Sequence, residues 1–142
     1  HVNAYYQGRV ETTGFDVADA TLAGNPNQAL LSLRQAILTG TEPVLIVSAL
    51  ASAIRAIAKV SGIPRGVKSF EVAGELGMAP WQIDKARRQL SLWTPEGIAF
   101  AVNQVAQADL GVKGASPDPI YALEKAVIAI AERAKNSSLS RS

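Results

Sequence analysis

Cysteine is absent from this 142-residue chain, and histidine occurs once, at position 1. Without thiols there is no disulfide scaffold and no cysteine-ligated zinc or iron–sulfur site. A histidine-dependent triad or metal cluster would have to rest on His1, a terminal residue that nothing in the pattern holds in place. Aromatic residues make up 6% and charged residues 18% of the chain, against 48% hydrophobic. That balance describes a globular chain of single-domain size, large enough to bury most of its apolar surface. Long hydrophobic runs are also lacking. The longest, Pro43 to Ile54, contains two serines and is closed by Arg55, short of the ~20 residues that span a bilayer. It reads as a buried helix, so no membrane association is expected and the location is expected to be cytoplasmic. No basic segment followed by an apolar stretch and a cleavage site opens the chain. It starts without methionine, in what reads as helix (His1 to Tyr6), and is expected to be part of a longer protein.

Charge is nearly balanced, at +2, but unevenly placed. Residues 1–54 carry Arg9 and Arg34 against Glu11, Asp16, Asp19 and Glu42. In residues 55–88, Arg55, Lys59, Arg65, Lys68, Lys85, Arg87 and Arg88 face only Glu71, Glu75 and Asp84. This basic middle third can attract a polyanion, or it can be an ordinary solvated face.

Proline marks the helix starts. Asn25-Pro26, Glu42-Pro43, Ala79-Pro80, Thr94-Pro95 and Asp118-Pro119 each precede an apolar-periodic run, and proline is favoured at the first helical position, where its missing N–H has no partner to lose. Asn25, Thr94 and Asp118 are good N-caps. Gly40, Gly62, Gly77 and Gly114 follow the runs and are expected to close them in the left-handed conformation. The pattern predicts an all-α fold, a bundle of about six or seven helices: Phe15–Ala23, Pro26–Thr39, Pro43 to about Val60, Ser69–Leu76, Pro80–Leu92, Pro95 to about Val112, and Pro119–Lys135. On the second, Leu30, Leu33 and Ile37 share a face. On the third, Ser48, Ser52, Arg55 and Lys59 form one polar stripe on an otherwise apolar cylinder, which makes it the expected central helix. The sixth is expected to bury Ile98, Val102 and Val105, and the last Ile120, Leu123, Val127 and Ile130. Residues 136–142 are expected to be a disordered tail. No segment alternates as a strand would, and no repeat of fixed period is present.

Catalytic constellations are missing. There is no phosphate-binding glycine loop, and Gly62, Gly66, Gly74 and Gly77 are too scattered to form one. Asp16 with Asp19 and Glu71 with Glu75 pair on helix faces, but acidic residues in a first turn answer the helix dipole without any chemistry. Residues 69–90 have the steric pattern of a helix-turn-helix: Ala73, then Gly77, then Ile83, with basic side chains on the second helix. That leaves a DNA-binding regulator as the alternative function. On a helix starting at Pro80, Trp81, Lys85 and Arg88 share a face opposite Ile83, Ala86 and Leu90. An outward tryptophan beside two cations can stack on an unpaired base and meet its phosphates, and these three are the candidate DNA-contact residues. Packing of Trp81 back onto the preceding helix is the competing arrangement. Trp93 reads as a core anchor.

The order of motifs resembles a known family. Phe15-Asp-Val-Ala-Asp-Ala20, Gly24-Asn25, Ala29-Leu30 with Leu33, and Gly40-Thr-Glu-Pro-Val-Leu-Ile-Val-Ser-Ala-Leu50 are followed by Leu76-Gly-Met-Ala-Pro-Trp-Gln82 and Ala108-Asp-Leu-Gly-Val-Lys-Gly114. Together they are similar to the C-terminal part of the delta subunit of the bacterial DNA polymerase III clamp loader. Each motif alone is a short helix start; the ordered set is the signal. The resemblance implies a helical collar domain over residues 12–135, preceded by the end of a lid domain and linker in residues 1–11. Its implied role is oligomerisation: the collar packs against gamma/tau-type and delta-prime-type subunits in the ring that places the sliding clamp on primed DNA. The clamp itself would be touched only by an N-terminal module not contained in this sequence. No catalysis, cofactor or metal is expected here. Weak contact with primed or single-stranded DNA through Trp81, with Lys85 and Arg88 in support, is implied as well.

Overall fold

The computed structural model describes residues 14–141, with side chains described as far as Ser137. The expected lid and linker segment, residues 1–11, lies outside the described residues. Seven α-helices follow one another, and no strand occurs among the described residues. They are α1 (residues 14–22), α2 (Pro26–Leu38), α3 (Pro43–Val60), α4 (Ser69–Leu76), α5 (Pro80–Leu90), α6 (Pro95–Leu110) and α7 (Pro119–Arg141). A π-helical turn, Gly111–Ala115, follows α6.

The starts fall where proline places them, and the caps close by local chemistry. The Asn25 side chain accepts from the Gln28 amide at 3.3 Å, Thr94 Oγ1 from Gly97 at 3.0 Å, and Asp118 Oδ1 from Tyr121 at 3.0 Å. Each satisfies an amide that the first turn leaves without a partner. At the other ends, Gly40, Gly77 and Gly114 take positive φ as expected, and so does Gly24. Gly62 does not: Ser61 stays right-handed and the Ile63 amide closes the turn on the Val60 carbonyl.

The core lies between α3, α6 and α7, with α2 and α1 closing it from the side. Val17, Leu22, Leu33, Leu50, Val127 and Ile130 are among its fully enclosed members. As its polar stripe predicts, α3 is central: Ile46, Val47, Leu50, Ile54, Ile57 and Val60 are buried, while Ser48, Ser52, Arg55 and Lys59 meet solvent. It is the one described helix long and apolar enough to cross a membrane by length and composition; here it packs against α5, α6 and α7. A smaller cluster of Val60, Ile83 and Ala86 holds α4 and α5 against its C-terminal end.

Three further expectations need correction. Val102 is 51% exposed and Ile120 41% exposed; α6 turns Gly97, Ala101, Val105 and Ala108 inward instead. The rotation follows from close packing. Gly111 lies so near α7 that a Cβ there would stand 2.8 Å from the Ala122 Cβ, and only the small-residue side of α6 allows that approach. The last helix also continues to Arg141 rather than ending at Lys135, because no glycine or proline interrupts residues 136–141.

Two antiparallel contacts fix α7. Against α6, Phe100 lies level with Arg133, whose guanidinium stands 5.0 Å from the ring centroid, and Gly111 lies level with Ala122. Against α2, Arg34 pairs with Glu124 at 3.5 Å, and Gly24, at φ +76°, would drive a Cβ to 2.9 Å from the Lys135 amide nitrogen. Gly24→Ala therefore combines left-handed strain with a backbone clash and should cost at least about 2 kcal/mol. Gly40→Ala, also left-handed but with no neighbour within 4 Å of the added carbon, should cost roughly 1 kcal/mol. Urea denaturation of the two variants checks the difference.

Candidate functional site

The candidate residues lie on α5, whose placement is set locally. Gln82 Oε1 accepts from the Ala79 amide at 2.9 Å to cap its start, and the Ser69 hydroxyl donates to Asp84 to tie it to α4. Gly77, left-handed at φ +68°, ends α4. The Lys59 ammonium donates to the Leu76 carbonyl at 3.3 Å, which anchors that end to α3. Ile83 and Ala86 go inward, so the opposite face of α5 turns out. Residues 69–90 thus form two short helices joined at a left-handed Gly77, with Ile83 buried and Ala73 packed against the same small cluster, as the spacing predicts.

Trp81 is 64% exposed, and Arg88 is exposed on the same face. The arrangement in which Trp81 packs back onto α4 is not adopted. Lys85, the third member of the set, is bound: its ammonium lies 2.9 and 3.0 Å from the two carboxylate oxygens of Asp19 on α1. Both partners are more than a third exposed, so the pair contributes at most about 1 kcal/mol. Its effect is to join α1 to α5 and to use up the charge of Lys85. No local signal could have revealed this, since Asp19 is 66 residues away.

Trp81, Lys85 and Gln89 form one wall of an open groove of about 520 Å³, with Phe15, Asp16 and Asp19 of α1 opposite and Ser52, Arg55, Ala56 and Lys59 of α3 as the floor. Phe15 is half exposed at its rim. Sequence reasoning missed Phe15 as a groove residue; an aromatic at the very start of a helix was the only hint. Phe15 and Trp81 are its two exposed aromatic lining residues, and Arg55 and Lys59 line it as well. Asp16 and Asp19 offset that positive charge on the α1 side. No group of three or more His, Cys, Asp or Glu residues among those described has metal-binding geometry.

The two tryptophans have opposite fates. Trp93 is 5% exposed and donates its indole N–H to the Leu22 carbonyl at 3.1 Å, pinning the end of α1 from a position next to the α6 cap. Trp93→Ala should lose about 3 to 5 kcal/mol. Trp81→Ala should change stability by less than about 1 kcal/mol, as an exposed truncation does. Thermal melts of the two variants measure both.

No curated protein sequence gives a match. Among solved structures, the DNA clamp loader delta protein of Bacillus subtilis (YqeN) superposes with a TM-score of 0.75 at 18% sequence identity. The match covers 87% of this chain and 37% of that one, so the fold is shared and the chain spans little more than a third of the length of that protein. Neither this likeness nor the family assignment favours a helix-turn-helix regulator. The family model for the C-terminal domain of the DNA polymerase III delta subunit matches residues 11–130, and the chain belongs to that family.

Proposed function

We propose that this domain is the collar of a clamp-loader delta subunit, an oligomerisation module that holds its protein in a ring with gamma/tau-type and delta-prime-type subunits. The observation that carries the reading is the family match across residues 11–130, supported by a fold shared with a clamp loader delta protein. The domain proper runs from Thr12 to Lys135. It performs no chemistry itself; the assembled loader places the sliding clamp on primed DNA in the cytoplasm. Contact with the clamp belongs to a different part of the delta protein.

A modest DNA contact belongs to the same reading. Trp81 supplies a π-face turned to solvent and Arg88 a cation beside it, the pairing that holds unpaired nucleotides without sequence preference. Lys85 acts in this reading through its bond to Asp19, which steadies α5 beneath Trp81, and its ammonium meets phosphate only if that exposed pair opens. Binding should therefore be weak, sequence-independent and only modestly reduced by salt, since few phosphates are neutralised and stacking on Trp81 carries most of it.

Co-elution of the full-length protein with the other loader subunits tests the collar role. A stable complex is expected, and wild-type protein that elutes alone would remove the reading. For the DNA contact, Trp81→Ala should weaken binding of single-stranded or primed DNA by about 1 to 3 kcal/mol and leave the complex with the other subunits intact. Fluorescence anisotropy at two salt concentrations reads both the loss and the salt dependence. Protection of one particular duplex sequence from nuclease would point instead to a regulator.

A further inference from the structure

We infer that the seam between α2 and α7 is the surface on which a different subunit docks, through an aliphatic helical face flanked by lysine or arginine; the inference rests on the collar reading above. On α2, Leu31 and Leu38 are two turns apart and share a face with Arg34 between them. Arg34 bonds to Glu124 of α7, and the antiparallel register set by that pair and by Gly24 beside Lys135 brings Leu38 level with Ile120. All three aliphatic side chains stand in solvent, Leu38 at 86% exposure. Single exposed leucines are common on any protein. Here they line one seam, on adjacent helices, with none of the described residues covering them.

Charge decides the occupant. The one cation of α2, Arg34, is already bonded within the seam. Of the α7 cations whose side chains are described, Lys125 lines the groove toward α6, Arg133 sits over Phe100, and Lys135 is at the far end near Gly24. Among the described residues a phosphate backbone would find no free positive charge there, which disfavours nucleic acid. The charges that remain at the Leu38–Ile120 end are acidic. Glu42 forms no ion pair among the described residues, and Asp118 caps α7 with its carboxylate. An apolar strip ending in two carboxylates complements a protein face that is apolar with a basic edge. A ring contact between unlike surfaces takes this form, since each subunit presents a different patch to its neighbour.

The test uses the full-length protein and the remaining loader subunits, with assembly measured by sedimentation and helicity by circular dichroism. Leu38→Asp and Ile120→Asp should each weaken assembly at least tenfold while leaving helicity and melting intact, and Glu42→Lys should weaken it in the same direction. Phe70→Asp, an exposed aromatic on α4 away from the seam, should stay within twofold of wild type. If Leu38→Asp lowers helicity, Leu38→Gln reads the same surface without a buried charge. Wild-type assembly matched within twofold by the seam variants would overturn this surface while leaving the collar role standing. Wild-type protein that fails to assemble would remove the collar role itself, and this inference with it. A concentration-dependent dimer abolished by Leu38→Asp would make a second copy the occupant, and loss of primed-DNA binding with assembly unchanged would make it nucleic acid; either overturns the inference.

Discussion

Close approach of α7 to its two neighbours is the constraint on which the rest of the structure depends. With so few aromatic side chains available, the core cannot be filled by large rings between widely spaced helices. It is filled instead by bringing backbones together over alanine and glycine and packing leucine, isoleucine and valine into what remains. Gly24 against the Lys135 backbone and Gly111 against Ala122 are places where no side chain would fit, and Ala101, Ala108, Ala126, Ala131 and Ala134 are among the buried small residues. Dense interiors of this kind tolerate neither added nor missing volume. They also fix helix rotation, because only one side of each helix is small enough to face its neighbour. That rotation sends Val102 and Ile120 outward although their spacing suits burial.

From the same constraint comes the division of the surface into two regions. Around α7 the helices are tightly joined, and some of their charges are bound within the chain: Arg34 with Glu124, Lys113 with Asp109 at 3.0 Å, Arg133 over Phe100. Around α5 the packing is lighter. A core of three buried side chains, Val60, Ile83 and Ala86, supports α4 and α5, and two polar ties, Lys59 to Leu76 and Ser69 to Asp84, do much of the locating. The basic middle third of the sequence therefore surfaces on the less densely packed part, beside the open groove that Trp81 and Phe15 border.

How much of this was legible in the sequence depends on the range of the interaction. Helix starts were legible because a proline at the first position and an Asn, Thr or Asp before it act within four residues. The amides of Gln28, Gly97 and Tyr121 find the oxygens their spacing predicts. The outward face of α5 was legible too, since Ile83 and Ala86 oppose Trp81 and Arg88 by helical geometry alone. The Asp19–Lys85 bond was not, because it joins helices that only the tertiary fold makes neighbours. Gly62 was misread for a related reason: a glycine after a helix permits a left-handed closure, yet Ser61 and Ile63 already complete a right-handed turn there. The groove-lining role of Phe15 depends on where α1 lies against α3, which no periodicity encodes.

An ion pair at the centre of the candidate DNA face changes what that face can do. If Lys85 were free, Trp81, Lys85 and Arg88 would present two cations to a passing strand, and electrostatics would dominate. With Asp19 holding both carboxylate oxygens within 3.0 Å of the ammonium, one positive charge is cancelled and Asp16 adds a negative one nearby. Stacking on Trp81 then carries a larger share of any binding energy than phosphate neutralisation does. Such a surface releases a strand easily and does not hold its protein on DNA in the absence of other contacts. On the proposed collar reading, that behaviour suits a domain whose strong interactions are with protein, and any specificity for primed DNA would lie in the assembled ring and not in this groove.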